Sequence, residues 1–419
     1  MPPTTDTVVI GAGHAGLAVS NRLTAAGQDH VVLDRGQVAE RWRSERWDSL
    51  HLLTPNWMTR LPGWSYTGPD SEGYMAARQF ISHLERYAES FAAPVQSGTT
   101  VLAVTPTARG YRVVTDQGTW NTRHVVVATG PWGKPRVPDC IESHAGDLHV
   151  TTASAYRNPD ALPDGGVLVV GASSSGVQIA DELARTGRHV ALAVGRHTRM
   201  PRRYRGMDIF WWLERTGRLA RTIDDVRDPV AARNEPSLQL MGRNEPDRFA
   251  ESLDLASLAG RGVRVTGRLR ALGDGTASFE SNLAASVAES DLRMHRFLDA
   301  VDEHIDASGL TSEVWAPVRP RAFAPREVPT KLDLKAEGIS TVLLATGYRP
   351  HHPWLRVPVT TADGSIRQHR GITPAPGLYV VGQRFQHRRD SGFIDGARHD
   401  AEHVVAHISA TRALDPAPR

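Results

Sequence analysis

Two short stretches of this sequence share one pattern, an apolar run followed by closely spaced glycines. The first reads VVIGAGHAG over residues 8–16, and the second reads VLVVGASSSG over residues 167–176. A strand, a glycine-rich turn and a helix in this order are typical of the βαβ unit that binds a dinucleotide. One such unit predicts a single bound nucleotide, so two units predict a pair of nucleotides in one chain.

The first unit carries every residue type that dinucleotide binding requires. Gly11, Gly13 and Gly16 have the G-x-G-x-x-G spacing, and Asp34 ends the next predicted strand. The first glycine allows the tight turn, the second lets the backbone approach a pyrophosphate, and the third lets the helix pack closely on the strand. A carboxylate at the position of Asp34 binds ribose hydroxyls. We therefore predict a dinucleotide here.

The second unit ends differently. Gly171 and Gly176 bracket a run of serines, which are Ser173, Ser174 and Ser175. The strand that follows ends near Arg196 and Arg199 instead of an acid. An arginine attracts a 2′-phosphate that a carboxylate would repel, so this unit predicts NADPH, with Arg196 as the leading phosphate ligand and Arg199 in reserve. The alternative is that these arginines belong to a solvated loop.

Repeated turns indicate how the two units are connected. Ala-Thr-Gly follows an apolar strand at residues 128–130, which include Thr129 and Gly130, and again at residues 345–347. A further buried strand near the C-terminus ends in Gly382 and Gln383. We predict an α/β fold with two Rossmann-like dinucleotide-binding domains, the second inserted into the first.

Composition excludes several classes of protein. Cys140 is the single cysteine among 419 residues, which excludes a Cys-x-x-Cys redox pair and favours the cytoplasm. The net charge is +3 without a dense basic block, so no nucleic-acid partner is expected. No apolar run reaches the roughly 20 residues that span a bilayer, and the N-terminus lacks the basic region of a signal peptide.

The sequence resembles the flavin-containing monooxygenase family, in its short bacterial class B branch. The resemblance rests on the first glycine motif, both Ala-Thr-Gly turns, ERW at 40–42, WDSL at 47–50, LPG at 61–63 and DSGFIDG at 390–396. It implies FAD in the first site and NADPH in the second. The implied limits are an FAD-binding domain over 1–158, an NADPH-binding domain over 159–321 and the rest of the FAD-binding domain over 322–419.

The resemblance also implies which residues bind the cofactors. Those expected at FAD are Gly11, Gly13, Gly16, Asp34, Arg41, Trp42 and Gln383, and those expected at NADPH are Ser173, Ser174, Ser175 and Arg196. Cofactor contacts are also expected from Thr129, Gly130, Gly171, Gly176 and Gly382.

In that family NADPH reduces FAD, and O₂ then forms a C4a-(hydro)peroxide that oxygenates a small organic substrate. Oxygenation at nitrogen or sulfur is the leading expectation. The alternatives are an NADPH oxidoreductase or oxidase without oxygen transfer, and Baeyer–Villiger oxygenation of a ketone. A homodimer is left open.

Two departures from the family pattern affect candidate catalytic residues. The family's F-x-G-x-x-x-H-x-x-x-Y/F motif is altered, because Gly146 is one residue too close to His149 and Tyr156 is too far away. A gapless comparison places Leu53 where many relatives have a flavin-side asparagine. Asn56, three residues on, is the candidate replacement, and its alternative role is to shape a turn.

Aromatic clusters leave further alternatives open. Trp42, Trp47, Trp57 and Trp64 crowd one region, where they form a flat pocket or pack loops. The aromatic segment 204–213 is a lid, a subunit contact or core, and residues 281–308 predict an amphipathic helix. The histidines at 351, 352 and 387 do not have the spacing of metal ligands.

Overall fold

The computed structural model describes residues 3–142, 147–242, 253–325 and 328–414. The fold is mixed α/β, with two main sheets built largely from parallel strands, as the glycine-loop units predict. The strands are β1 (Thr4–Ile10), β2 (His30–Leu33), β3 (Val95–Gln96), β4 (Val101–Thr107), β5 (Gly110–Thr115), β6 (Gly118–Val127), β7 (Lys134–Pro135), β8 (His149–Thr152), β9 (Gly166–Val170), β10 (Val190–Ala193), β11 (Thr198–Arg199), β12 (Arg203–Tyr204), β13 (Met207–Asp208), β14 (Leu238–Gln239), β15 (Arg264–Thr266), β16 (Leu269–Gly273), β17 (Thr276–Phe279), β18 (Lys331–Asp333), β19 (Ile339–Leu344), β20 (Tyr348–Arg349) and β21 (Leu378–Val380).

The helices connect these strands and cover the sheets. They are α1 (His14–Ala25), α2 (Glu40–Ser44), α3 (Ala77–Ser90), α4 (Asp139–Glu142), α5 (Ser174–Arg185), α6 (Ile209–Arg215), α7 (Pro229–Arg233), α8 (Leu255–Gly260), α9 (Leu283–Ala307) and α10 (Ala397–Leu414). Helices α1 and α5 each begin inside a glycine loop, so their amino ends point at the predicted nucleotide sites. Each described helix is too short or too polar to cross a membrane.

The first sheet has the strand order β3-β2-β1-β6-β5-β4, with β21 also paired to β6. Strands β3, β2, β1, β6 and β21 pair in parallel, whereas β4 and β5 form an antiparallel meander with β6. Every residue of β2 is buried, because helices cover both faces of the parallel part. The C-terminal strand therefore completes the sheet that the N-terminal strand begins.

The second sheet is wholly parallel, in the order β15-β10-β9-β19-β8. Its central strand β9 is buried along its whole length. Strands β8 and β19 pair in this sheet, although both lie outside residues 159–321, the limits predicted for the second nucleotide-binding domain. The domain limits stay a prediction. The chain passes between the two sheets twice, and the two crossings pair with each other as the antiparallel ribbon β7–β20.

The predicted amphipathic helix at 281–308 corresponds to α9. Its buried residues include Met294, Leu298 and Val301, which recur every three or four positions and form one apolar face. This face packs on the aromatic segment 204–213, where Trp212 is fully buried and its indole Nε1 donates to the Tyr204 carbonyl (2.7 Å). The aromatic segment is therefore part of the core.

The four clustered tryptophans do not line one pocket. Trp42 packs edge-on against Phe80, with ring centroids 4.8 Å apart, and Trp47 is buried in the core of the second sheet. Trp57 packs against the α6–α9 core, whereas Trp64 packs beside α3. Loop packing is therefore the role that the structure gives to these rings.

Arg199 is a buried structural arginine. Its guanidinium lies 2.9 Å from the Asp254 carboxylate and 2.8 Å from the Asp291 carboxylate on α9. It also donates to the Arg321 carbonyl (2.8 Å). These contacts hold the N-terminus of α8 and helix α9 against strand β11 and occupy the donors that a phosphate would need. The predicted reserve role of Arg199 at a 2′-phosphate does not fit this position.

We predict that Arg199→Ala lowers the free energy of unfolding by about 3–5 kcal/mol, because it leaves two buried carboxylates without a counter-charge. Chemical denaturation measures this value. The matched control is Arg196→Ala, three residues earlier and exposed, which changes the free energy of unfolding by less than about 0.5 kcal/mol. Equal values for the two variants would contradict the structural role of Arg199.

Candidate functional site

The first glycine loop is shaped by contacts that admit no side chain. Gly11 has φ +111°, and a Cβ atom there would lie 2.7 Å from the Ala128 carbonyl oxygen. A Cβ atom on Gly16 would overlap the Gly11 carbonyl oxygen. At Gly13, in contrast, a Cβ atom would meet no protein atom within 4 Å. The loop is therefore closed toward the protein and open at the residue predicted to face a pyrophosphate.

The second glycine loop repeats this arrangement. Gly171 has φ +110°, and a Cβ atom there would lie 2.5 Å from the Ala345 carbonyl oxygen. A Cβ atom on Gly176 would overlap the Gly171 carbonyl oxygen. Ala128 and Ala345 open the two Ala-Thr-Gly turns, so each turn lies beneath its own glycine loop. Thr129 and Gly130 follow Ala128 and are half-buried at this position.

Asp34 is attached to the first loop by backbone hydrogen bonds. One carboxylate oxygen accepts the Ala12 N–H (2.7 Å) and the other accepts the Gly36 N–H (3.0 Å). Burial raises the pKa of Asp34, and these two bonds partly counter the rise. Each oxygen keeps acceptor capacity for a further donor. The carboxylate is thus oriented at the strand end, as ribose binding requires.

Arg41 and Trp42 lie on α2, which follows this strand. The Arg41 guanidinium donates to the Trp132 carbonyl, two residues after Gly130, and lies 3.6 Å from the Glu45 carboxylate. Burial lowers the pKa of Arg41. The predicted flavin residues of α2 are therefore joined to the segment after the first Ala-Thr-Gly turn.

Gly382 and Gln383 meet the opposite side of the same loop. Gly382 has φ +72°, and a Cβ atom there would lie 2.8 Å from the Ala15 Cβ on α1. The Gln383 side-chain Nε2 is buried and, within the described ranges, donates to no protein atom. A buried amide donor without a partner costs free energy unless a ligand accepts from it. This side chain and the open space at Gly13 both fit a bound dinucleotide.

The serines of the second loop start helix α5. Ser173 is the N-cap residue, and Ser174 and Ser175 form the first turn, where backbone N–H groups are free of intrahelical partners. The Ser174 hydroxyl lies 3.0 Å from the Ser237 hydroxyl. Helix amino ends attract anions, so this turn is suited to phosphate.

Arg196 and Arg199 occupy opposite environments. Arg196 is exposed at the end of the strand that follows α5, and forms no ion pair within the part of the chain that the structure describes. Arg199 is buried between two carboxylates. Of the two arginines predicted from sequence, only Arg196 is therefore placed to meet a phosphate from solvent.

Asn56 starts a short 3₁₀ turn and is 4% exposed. Its side-chain Nδ2 donates to the Asp70 carbonyl (2.8 Å), whereas its Oδ1 is buried and accepts no bond from the described residues. Leu53 packs against the α6–α9 core. Asn56 thus joins two loops, as a turn-shaping asparagine does, and also has one unused acceptor.

The altered family motif has structural roles in this fold. His149 is exposed at the start of β8. Tyr156 is buried, and its hydroxyl donates to the Glu182 carboxylate on α5 (2.8 Å). Burial raises the pKa of Tyr156. Gly146 lies outside the described residues. The described ranges contain no group of three or more His, Cys, Asp or Glu side chains that could hold a metal ion.

Comparisons with known proteins agree with this geometry. The family model described as pyridine nucleotide-disulphide oxidoreductase matches residues 8–210. An uncharacterized CzcO-like oxidoreductase of Geobacillus kaustophilus is 29% identical, over 96% of this chain and 98% of its own. The indole-3-pyruvate monooxygenase YUCCA1 of Oryza sativa is 27% identical, over 90% and 86%. A flavin-containing monooxygenase structure from Stenotrophomonas maltophilia superposes with TM-score 0.64 and 20% identity, over 98% and 99%.

This chain is an oxidoreductase that is similar to the flavin-containing monooxygenases. The flavin and the nicotinamide dinucleotide that this class uses correspond to the two nucleotide units predicted from sequence. The resemblance to the monooxygenase family is thereby confirmed, and so is the fold class.

One part of the site was not predicted from sequence. Ser237 contacts Ser174, and the Gln239 side-chain Nε2 donates to the Ala172 carbonyl (2.6 Å). Residues 237–239 therefore lie against the second glycine loop of this oxidoreductase. No motif or periodicity marks this stretch, because its place depends on the parallel pairing of β14 with β11.

We predict that Gly13→Ala leaves the melting temperature nearly unchanged and raises the flavin dissociation constant at least about tenfold, since the new methyl group meets no protein atom but occupies the cofactor's approach. Titration of the apoprotein with FAD measures the constant. Gly16→Ala is the contrasting variant, because its methyl group overlaps the Gly11 carbonyl and lowers the melting temperature. If Gly13→Ala bound flavin as tightly as the wild type, the flavin cofactor would not lie against the first glycine loop.

Proposed function

We propose that this oxidoreductase is an FAD- and NADPH-dependent monooxygenase that oxygenates a small organic substrate at nitrogen or sulfur. The observation that carries the proposal is the contrast between two similar glycine cradles, one ending in the Asp34 carboxylate and the other in the exposed Arg196. A carboxylate selects a ribose diol, and an arginine selects a 2′-phosphate.

The first cradle would hold FAD through groups on three segments. The open backbone at Gly13 faces the diphosphate, and Asp34 accepts from ribose hydroxyls. The buried Nε2 of Gln383 donates to the cofactor and so gains a partner that it does not have among the described residues. Arg41 orients the adjoining segment through the Trp132 carbonyl.

The second cradle would hold NADPH. The first turn of α5, with Ser174 and Ser175, binds the diphosphate through backbone N–H groups, and Arg196 binds the 2′-phosphate. When bound, the two cofactors supply hydride transfer and oxygen activation, and the protein orients them and excludes water. Cys140 is the single cysteine, so this chain contains no dithiol to accept the electrons in place of O₂.

An oxidase that releases H₂O₂ without oxygen transfer is the second candidate. The hydrogen bond between the Asn56 Nδ2 and the Asp70 carbonyl favours it, because that bond uses one of the two N–H groups of the amide and holds the side chain in a loop contact. The Oδ1 of Asn56, which accepts no bond from the described residues, favours the monooxygenase, since this atom can still accept a hydrogen bond from a bound group. We propose Asn56 as the residue that separates the two outcomes.

The test of the proposed function measures how NADPH oxidation is divided between products. The FAD-loaded protein is supplied with NADPH, O₂ and a panel of small amines and thioethers, and NADPH, H₂O₂ and oxygenated product are quantified. A substrate that lowers the H₂O₂ yield while an N- or S-oxide forms in equal amount supports the monooxygenase. Stoichiometric H₂O₂ with every substrate supports the oxidase.

We predict that Arg196→Ala raises KM for NADPH by about 10–100-fold, which is the usual loss for a charge-assisted hydrogen bond. KM for NADH changes less than about twofold, because NADH lacks the 2′-phosphate. Steady-state kinetics with both coenzymes provide the measurement and its internal control. Equal changes in KM for NADPH and NADH would show that Arg196 does not bind the 2′-phosphate.

We predict that Asn56→Ala increases the fraction of NADPH turnover that ends as H₂O₂ several-fold. The variant also lowers the free energy of unfolding by about 1–2 kcal/mol, because it loses the hydrogen bond to the Asp70 carbonyl. Oxygen-electrode and peroxide assays measure the fraction. Asn121→Ala, in the meander strand β6, is the matched control. A loss of stability without any change in H₂O₂ yield would show that Asn56 only shapes a turn.

A further inference from the structure

A short hairpin brings an arginine and an aspartate side by side. Strands β12 and β13 pair antiparallel, and the two residues of their turn, Arg205 and Gly206, both have positive φ, as tight hairpin turns require. Arg202 precedes β12 and Asp208 ends β13, so the pairing places them next to each other. The Arg202 guanidinium donates to the Asp208 carboxylate through Nε (2.8 Å) and also through Nη2.

The third nitrogen of this guanidinium reaches the loop that carries Asn56. The Arg202 Nη1 donates to the carbonyl of Leu53, three residues before Asn56 (2.8 Å). Beyond that point, the Asn56 N–H donates to the Gly73 carbonyl and its Nδ2 donates to the Asp70 carbonyl, both at 2.8 Å. Arg202 therefore holds the start of a loop whose other bonds hold Asn56 itself.

The surroundings of Arg202 fix its orientation. Its guanidinium lies 4.6 Å from the centroid of the Tyr74 ring and 5.4 Å from that of the Phe210 ring. The Tyr74 hydroxyl donates to the same Asp208 oxygen (2.7 Å), and the other Asp208 oxygen accepts the Phe210 N–H (2.8 Å) at the start of α6. Asp208 is fully buried, and the Arg202 side chain is 12% exposed. A forked and stacked guanidinium of this kind is fixed in direction as well as in position.

Stability alone does not explain a buried ion pair at this place. Desolvation of the two charges offsets much of their attraction, so apolar side chains of similar volume often hold two segments equally well. A pair of fixed geometry adds a defined register between the segments that it joins. Here those segments are the hairpin and the Asn56 loop. The atom in that loop whose direction matters is the Asn56 Oδ1, which is buried and accepts no bond from the described residues.

We propose that Arg202 is a positioning residue for the oxygenation reaction, and that it fixes the direction of the Asn56 Oδ1 by holding the Leu53 carbonyl. Asp208 and Tyr74 in turn hold the Arg202 guanidinium. This role rests on the proposed function of Asn56. Arg202 acts through Asn56 and is assigned no contact of its own with substrate or cofactor.

The first test replaces Arg202 with lysine, which keeps the charge but loses the planar fork. The FAD-loaded protein is supplied with NADPH, O₂ and the amine or thioether that gives most product, and the ratio of oxygenated product to H₂O₂ is measured. Arg202→Lys is expected to lower this ratio at least about fivefold, while KM for NADPH changes less than about twofold. Tyr74→Phe removes only the hydroxyl on Asp208 and is expected to lower the ratio by a smaller factor.

The chain offers a matched control in Arg319. This arginine also pairs with an aspartate, Asp302 on α9, and lies 5.4 Å from the centroid of the Tyr204 ring. The Tyr204 hydroxyl donates to Asp302 (2.7 Å), so the chemistry matches that of the Arg202 group. The bonds of Arg319 go to α9 and not to the Asn56 loop. Arg319→Lys is therefore expected to keep the ratio of product to H₂O₂.

A double variant separates positioning from general stability. If Arg202 acts through Asn56, then adding Arg202→Lys to Asn56→Ala lowers the ratio by less than about twofold further, because the group to be positioned is already absent. A further loss as large as that in the wild type would overturn the proposal. So would an unchanged ratio in Arg202→Lys and Tyr74→Phe variants that melt like the wild type.

Amide hydrogen exchange provides a measurement that does not depend on oxygenation. Arg202→Lys is expected to speed exchange over residues 52–57 at least about threefold, and Arg319→Lys is not. Unchanged exchange in Arg202→Lys would overturn the positioning role. If the wild type itself releases one H₂O₂ per NADPH with every substrate, it is the proposed function that fails, whereas faster exchange in Arg202→Lys still shows that Arg202 fixes the loop.

Discussion

The whole arrangement depends on the close approach of each glycine loop to the alanine of an Ala-Thr-Gly turn. Gly11 lies against Ala128, and Gly171 lies against Ala345, at distances that leave no space for a Cβ atom. Each contact packs a helix amino end onto a parallel sheet and leaves backbone N–H groups facing outward. Asp34 bonds to Ala12 beside the first contact, Gly382 meets Ala15 on α1, and the α5 serines follow Gly171.

Local patterns were enough to predict the parts of the site that lie close together in sequence. The two βαβ units, the position of Asp34 at the strand end and helix α9 depend on short-range spacing, and the structure has them within a few residues of the expected limits. The functions of Arg196 and Arg199 could not be separated in this way. Their difference comes from Asp254 and Asp291, which lie 55 and 92 residues beyond Arg199.

Other features could not be predicted because they depend on pairing across the fold. Residues 237–239 have no distinctive composition, and they reach the second glycine loop because β14 pairs with β11. The clustered tryptophans are close in sequence, but their rings enter separate cores. The closeness of these tryptophans in sequence therefore did not predict that their rings enter different cores.

The ribbon of β7 and β20 has a consequence for how such a protein can be built. Both passages between the two sheets run side by side through this ribbon, so the entry and exit of the inserted sheet are neighbours. A unit whose ends are adjacent can be exchanged for a homologous one without stretching the host. Replacing the residues between β7 and β20 would thus exchange the second sheet with its glycine loop, while the first sheet kept its own strand order.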